Sequence, residues 1–138
     1  VKTDMNLEAR YADSEAAAVP TLSFPVQTRE RTPEGKDKLR MGIYWDTVEG
    51  CTIVSEGILR TYEAGKVNAL TVGTTDAAVK QHNCSEVGAS GTYTYNLTLG
   101  TASTGKTVYV KGFIQYTDEN GALHTMYTDV VTMSPVNE

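Results

Sequence analysis

The chain has 138 residues, of which 40% are hydrophobic and 21% are charged, and 12 lysines and arginines against 17 aspartates and glutamates give a formal charge of −5. This length suits one domain with a single core. An acidic balance without a basic run disfavours nucleic acid and anionic membrane surfaces as partners, because both bind through neutralisation of phosphates. The mean hydropathy of −0.31, with no apolar stretch near about 18 residues, predicts no membrane insertion.

The composition favours strands and offers little for catalysis. Threonine, valine and eight tyrosines are abundant, and β-branched and aromatic side chains fit a pleated, half-buried surface. Two histidines and two cysteines leave few candidates for metal or nucleophilic chemistry. Because no acid, base, nucleophile or metal-ligand set converges, we expect a protein that is not an enzyme, with no catalytic residues, no metal site and no cofactor.

The first 38 residues differ from the rest of the chain. Residues 6–11 alternate and could form a first strand. Thr21–Gln27 is a second extended candidate, in which Pro25 restricts the strand to a sheet edge or a bulge. Residues 29–38 mix both charges with Pro and Gly, a pattern typical of a solvated loop.

From residue 39 onward the apolar residues recur at every second position, which indicates half-buried strands. The first such strand has an apolar face and a polar face, the apolar one formed by Leu39, Met41, Ile43 and Trp45 and the other by Arg40, Tyr44 and Asp46. Ile53–Tyr62 follows as a second run and Leu70–Gly73 as a short one. Residues 75–81 fit either one capped helical turn or an extended segment.

The C-terminal part predicts three further strands. In Thr92–Leu99 the residues Tyr93, Tyr95, Leu97 and Leu99 face inward. Thr107–Tyr116 is the longest candidate, and residues 118–121 then supply a hairpin turn because Asn-Gly favours the positive φ that short loops need. Leu123–Met133 completes the hairpin.

About seven to eight short strands, with no amphipathic helix of three turns, favour an all-β fold, an antiparallel β-sandwich, over a barrel or an α/β fold. We therefore predict one module over residues 1–138. Its main sandwich covers residues 39–133, and residues 1–38 form an N-terminal segment with one or two edge strands.

Residues 100–107 (GTASTGKT) match the phosphate-binding loop pattern G-x-x-x-x-G-K-[ST]. Such a loop leads into a helix whose N-terminus faces the phosphates. Here Lys106 is followed by VYVKGFI, a β-branched and aromatic run. We therefore interpret the segment as a loop between strands and not as a nucleotide site.

Cys51 and Cys84 allow two interpretations. A disulfide between them would close a loop of about 33 residues and stabilise the fold, and the alternative is two buried thiols. Neither cysteine is expected to be a nucleophile, because no local nucleophile signature accompanies them.

The aromatic residues are the candidates for a binding surface. If Val108, Val110 and Ile114 face the core, Tyr109 and Phe113 lie on the outer face, beside Tyr127 on the paired strand. Exposed aromatic rings on a sandwich can stack on sugars, and the candidate ligand-binding residues are Tyr44, Tyr62, Tyr109, Phe113 and Tyr127. The alternative is that the N-terminal segment or a neighbouring module covers this face.

Several segments together resemble the immunoglobulin-like or fibronectin type III-like modules of large secreted and surface proteins of gut bacteria. The segments are residues 48–59 (VEGCTIVSEGIL), 91–97 (GTYTYNL), 107–113 (TVYVKGF), 116–118 (YTD) and 126–130 (MYTDV), within residues 39–133. The resemblance implies an extracellular or cell-surface, bacterial, multidomain context and a non-catalytic structural or interaction role. Its partners would be neighbouring modules of the same polypeptide or another surface protein. Carbohydrate binding, with a glycan as partner, is the alternative function.

Overall fold

The computed structural model describes residues 19–84 and 88–136, which form two antiparallel sheets. The eight strands are β1 (Thr21–Arg31), β2 (Asp37–Asp46), β3 (Thr52–Thr61), β4 (Val79–Asn83), β5 (Ser90–Leu99), β6 (Val108–Thr117), β7 (Leu123–Tyr127) and β8 (Val131–Met133). Two short 3₁₀ helices span Ala64–Ala69 and Thr101–Ser103. This architecture confirms the predicted all-β sandwich; the strand predicted at residues 6–11 lies outside the described residues.

The two sheets differ in size and strand order. The first has the order β1-β2-β5, and the second has the order β4-β3-β6-β7, with β8 also paired to β6. No helix in the part of the chain that the structure describes is both long and apolar enough to cross a membrane.

The inter-sheet core forms where the inward faces of the two sheets meet. Leu39, Met41, Ile43 and Trp45 are all buried there, as their spacing in the sequence predicts. The second sheet contributes Ile53, Ile58, Val108, Val110 and Ile114. The predicted inward face of β5 is also confirmed, because Tyr93, Tyr95, Leu97 and Leu99 all pack against this core.

A second, smaller hydrophobic cluster lies on the outer face of the second sheet, and we call it the outer cluster. Its buried members are Leu59, Leu70, Val79 and Phe113. The chain between β3 and β4 folds over this face, and its residue Leu70 is fully buried there. The prediction of a strand at Leu70–Gly73 is therefore wrong, because Leu70 directly follows a 3₁₀ helix. Gly57 allows this packing, because a Cβ there would lie 2.2 Å from the His82 carbonyl oxygen and 2.8 Å from the Phe113 ring.

The segment 75–81 divides between turn and strand. The Asp76 carboxylate accepts a hydrogen bond from the Ala78 N–H at 3.0 Å, which closes a local turn and not a helical one. The extended conformation begins at Val79.

Two edge strands are irregular. In β1 the register shifts between Ser23 and Val26, so Pro25 lies at an edge and in a bulge, as predicted. The predicted single strand Leu123–Met133 is instead two strands, because residues 128–130 leave the sheet. Thr128 takes over their pairing: its hydroxyl accepts from the Gly112 N–H and its own N–H donates to the Gly112 carbonyl, each at 2.9 Å.

The predicted hairpin turn is confirmed. Gly121 has a φ of +81°, and the Asp118 carboxylate accepts hydrogen bonds from the backbone N–H groups of Asn120 and Ala122. The acidic side chain thus organises the turn between β6 and β7.

The prediction of a solvated loop over residues 29–38 is wrong at both ends. Strand β1 continues to Arg31 and β2 begins at Asp37, so only residues 32–36 form the turn. Asp37 is fully buried and pairs with Arg29, whose side chain is 5% exposed. Charged residues here build a polar core in place of a solvated surface.

Candidate functional site

The five aromatic residues predicted to bind a ligand do not form one platform. Tyr44 lies on the outer face of the first sheet and is 43% exposed. Tyr62 follows β3 and is partly buried against the inter-sheet core. Its hydroxyl accepts a hydrogen bond from Arg60 at 3.3 Å, and Lys106 Nζ lies 5.1 Å from its ring centroid.

Tyr109, Phe113 and Tyr127 share the outer face of the second sheet, as the alternation predicts, and Phe113 pairs with Tyr127 across strands. Phe113 has no exposed surface, because the chain between β3 and β4 covers it. A sugar ring therefore cannot stack on Phe113 in this conformation, which removes it from the candidate set. Tyr109 and Tyr127 are half-buried.

Tyr127 also lines a groove of about 400 Å³ at the flank where β1 faces β7 and β8. We call this the β1–β7 groove; it is lined by Leu22, Ser23, Phe24, Gln27, Tyr127, Thr128, Asp129 and Val131. The groove arises from two irregularities that face each other: the bulge in β1 and the break between β7 and β8. Its volume lies in the range of small-ligand sites.

The β1–β7 groove combines an aromatic ring with polar side chains. The Tyr127 hydroxyl accepts from the Val72 N–H at 3.0 Å, and Lys111 Nζ lies 5.1 Å from the ring centroid, so the ring is held in place. Gln27 donates its amide to the Phe24 carbonyl at 2.9 Å, which orients its side-chain carbonyl. The exposed Asp129 adds a carboxylate. An aromatic ring beside amide and carboxylate oxygens suits a polyhydroxylated ligand.

The outer face of the first sheet is a second candidate surface, which we call the threonine face. Threonines, one tyrosine and several charged residues are exposed on it: Ser23, Thr28, Glu30, Lys38, Arg40, Tyr44, Asp46, Thr92, Thr94, Asn96 and Thr98. Arg40 Nε donates to the Asn96 side-chain oxygen at 3.4 Å across the β2–β5 pair. In contrast to the outer face of the second sheet, this face is not covered by any described segment.

A third group of side chains lies between the sheets where β4 and β5 form the edges, and we call it the polar flank. His82 stacks on Tyr95 with ring centroids 3.9 Å apart. Arg60 Nε donates to His82 Nε2 at 2.9 Å. Burial, with added repulsion from Arg60 and Lys80, lowers the pKa of His82.

The polar flank continues inward to Glu56, which is fully buried in β3. Neither carboxyl oxygen has a partner in hydrogen-bond geometry. Burial raises the pKa of Glu56, and the nearby Cys84 thiol opposes this shift in part. No group of three or more His, Cys, Asp or Glu among the described residues is placed to hold a metal ion.

Sequence reasoning missed both Glu56 and His82 as members of a common site. The sequence does indicate that Glu56 is buried, because Glu56 lies on the same face of its strand as the core residue Ile58 and inside an apolar run. For His82 the signal is absent, because β4 is short and mostly polar. Only its pairing opposite Ile58 turns its ring toward the inter-sheet core.

The two cysteines flank the paired strands β3 and β4. The Cys84 N–H donates to the Glu56 carbonyl at 2.8 Å, whereas Cys51 precedes β3. Both side chains are half-buried.

The segment 100–107 is a loop between β5 and β6, as interpreted from the sequence, and it carries the short helix Thr101–Ser103. Strand β6 and not a helix follows Lys106. The Thr104 carbonyl accepts a hydrogen bond from Arg29, so the loop is tied to the buried charge network near β1.

The described residues define a small all-β domain of two packed sheets, and the comparisons agree with that class. No family model and no curated protein matches the sequence. A structural genomics target described as an ApaA protein from Bordetella pertussis is similar in fold, with a TM-score of 0.50 and 12% identity over 84% of this chain and 93% of that one. Northeast Structural Genomics Consortium target SoR45 has a TM-score of 0.53 and 11% identity over 85% and 87% of the two chains. At these identities the similarity concerns the fold alone.

Proposed function

We propose that the chain is a non-catalytic interaction module of a larger secreted or cell-surface bacterial protein. Two features support an immunoglobulin-like or fibronectin type III-like type: the sequence segments that resemble such modules, and the sandwich itself. In the constant-type immunoglobulin order the fourth strand joins the sheet of the first two. Here β4 pairs with β3 instead, which favours the fibronectin type III-like variant.

This proposal rests on one difference: the outer face of the second sheet is covered by the chain, and the outer face of the first sheet is exposed. The chain builds the outer cluster over the second sheet, with Phe113 and Leu70 fully buried. On the first sheet it leaves Tyr44 exposed beside Thr92 and Ser23 in the cross-strand register. Aromatic residues are enriched at protein interfaces. The threonine face is therefore the surface on which a neighbouring module would pack.

The proposal predicts protection of Tyr44 in the full-length gene product. In hydroxyl-radical footprinting, Tyr44 should be modified several-fold less in that protein than in the isolated domain. Leu123, 59% exposed on the far hairpin, is the matched control and should be modified equally in both. Equal modification of Tyr44 in the two samples would argue against a module contact on this face.

A glycan is the second candidate partner, and the β1–β7 groove favours it. The groove combines the fixed ring of Tyr127 with the polar groups of Gln27 and Asp129. Sugar recognition needs such an apolar surface next to hydrogen-bonding groups that fix the orientation. This candidate keeps Tyr127 as a ligand-binding residue and replaces Phe113 with the polar residues of the groove.

Affinity electrophoresis against plant, host and bacterial polysaccharides tests the glycan hypothesis. A polysaccharide that retards the wild type should bind Asp129→Ala and Gln27→Ala about tenfold or more weakly, since each variant leaves a ligand hydroxyl unpaired. Asp46→Ala removes another exposed carboxylate, on the first sheet, and should bind as the wild type does. Undiminished retardation of Asp129→Ala, or no retardation of the wild type by any glycan, would contradict the glycan hypothesis.

A further inference from the structure

The edges of the two sheets are not equally protected against pairing with another strand. An exposed edge presents unpaired N–H and C=O groups, and proteins block such edges with charges, proline, bulges or short strands. Strand β1 carries Pro25, a bulge, and the charged run 29–31. Strand β4 has five residues, and β7 and β8 are short and interrupted.

Strand β5 has none of these protections. Its ten residues, SGTYTYNLTL, contain no charge and no proline. It pairs with β2 in ten consecutive residue pairs without a register shift, from Asp46↔Ser90 to Asp37↔Leu99. Its other side carries no strand within residues 19–84 and 88–136. This is a long, regular and uncharged edge.

The side chains of β5 also leave apolar surface at this edge. Tyr93, Tyr95 and Leu97 pack against the inter-sheet core but stay half-exposed. On the other face, Thr92, Thr94 and Asn96 are exposed. A strand added to β5 would therefore bury aromatic surface on the inner side and satisfy backbone groups along its length.

We propose that β5 pairs with β5 of a second copy of this chain, antiparallel about a two-fold axis. Each copy carries a net charge of −5, so two copies repel each other, and pairing through an edge without charge adds no local repulsion. The β5 edge offers ten uncharged residues, whereas a symmetric pairing of β1 about Glu30 would place Glu30 opposite Glu30 and Arg29 opposite Arg31. With the two-fold axis at Thr94, Thr94 lies opposite Thr94 and Tyr93 opposite Tyr95, so each face of one β5 continues the same face of the other.

Sedimentation and light scattering on the full chain test the proposal. The wild type should change from the 15.0 kDa monomer to twice that mass as its concentration rises from low micromolar to near millimolar. Thr94→Lys places a charge at the centre of the edge, and in the dimer each lysine would face its symmetry mate; the dimer constant should weaken about tenfold or more. Thr21→Lys makes the same change on β1, beside Asp46, and should dimerise as the wild type does.

Amide hydrogen exchange gives a test that needs no variant. Alternate β5 amides, those not bonded to β2, should exchange rapidly in dilute protein and slowly in concentrated protein, while β1 amides should not respond to concentration. A monomer at every concentration, or a dimer that Thr94→Lys does not weaken, would overturn the proposal. Concentration-dependent protection of β1 in place of β5 would overturn it as well.

Discussion

Replacing Asp37 with asparagine is expected to lower the free energy of unfolding by about 3–5 kcal/mol, because removal of one partner leaves a buried charge uncompensated. Asp37 is fully buried and accepts a hydrogen bond from Arg29 Nε at 2.8 Å. Arg31 Nε bonds to the second carboxylate oxygen. The neutral amide could not balance the Arg29 guanidinium, which is almost completely removed from water.

The loss should extend beyond β1 and β2. Arg29 also donates to the Met133 carbonyl in β8 at 2.8 Å and to the Thr104 carbonyl in the β5–β6 loop at 3.1 Å. One side chain thus connects four parts of the chain at this end of the sandwich. Its misplacement would leave two partly buried backbone carbonyls without this donor, which adds to the cost.

The same network makes stability depend on acid. Burial alone would raise the pKa of Asp37, but hydrogen bonds and charge from Arg31 and Arg29 outweigh it and hold that pKa below its ordinary value of 3.8. The native state then binds fewer protons than the unfolded state between the two values. This stabilisation is complete above the ordinary value and is lost as the pH falls through the native one.

Urea unfolding as a function of pH checks both expectations. The difference between wild type and Asp37→Asn should be large at neutral pH and shrink in strong acid, where the wild-type carboxylate is protonated. Asp46→Asn is the control, because Asp46 lies on the same strand β2 but is exposed, and it should change stability little at any pH. A neutral Asp37→Asn substitution at pH 7 would contradict the buried-pair account.

Strand parity in the sequence predicts that Asp37 is buried, although the mixed charges of residues 29–38 predict a solvated loop. Asp37 has the same strand parity as Leu39 and Met41, so an alternation extended two residues backward would place it inside. A mixed-charge run with Pro and Gly is typical of a solvated loop. Composition shows which residues are charged, but it does not show which residue neutralises each charge. The partner Arg29 lies on a different strand, and its pairing depends on the β1–β2 register.

Phe113 shows a different limit of sequence reasoning. Alternation places it correctly on the outer face of β6, opposite Tyr127. It cannot tell whether that face is open, since this depends on where residues 62–78 fold. Leu70 belongs to the same outer cluster as Phe113, and the 3₁₀ helix before it has no periodic signature in the sequence. Local pattern therefore predicts strands and their faces, while coverage of a face is a long-range property.

The second large effect is expected at Glu56, and it has the opposite sign. Glu56→Met should raise the free energy of unfolding by about 1–3 kcal/mol at neutral pH, because it replaces an unsatisfied buried carboxyl with an apolar side chain of similar volume. Glu56 lies among core residues, opposite Ile114 in the register. Neither carboxyl oxygen has a partner in ideal hydrogen-bond geometry, and the Cys84 thiol only partly offsets the effect of burial on its pKa.

The pH dependence of stability tests whether the buried Glu56 carboxylate causes this effect. Burial raises the pKa of Glu56 above its ordinary value of 4.5, so above that value the native state retains a proton that the unfolded state releases. Wild-type stability should then fall as the pH rises from the ordinary value through the native one. Glu56→Gln removes this fall but keeps a polar group in the core, so it should gain less than Glu56→Met.

Thermal and urea unfolding of both variants from pH 4 to pH 9 separates charge from polarity. The advantage of Glu56→Gln over wild type should be small in acid and grow with pH, whereas Glu56→Met should be more stable at every pH. Glu63→Gln, an exposed glutamate just after β3, should show neither effect. A Glu56→Gln variant with the wild-type pH profile would mean that another group carries the proton. A destabilised Glu56→Met would mean that the carboxyl has a hydrogen-bond partner in solution and takes part in the polar flank as Arg60 and His82 do.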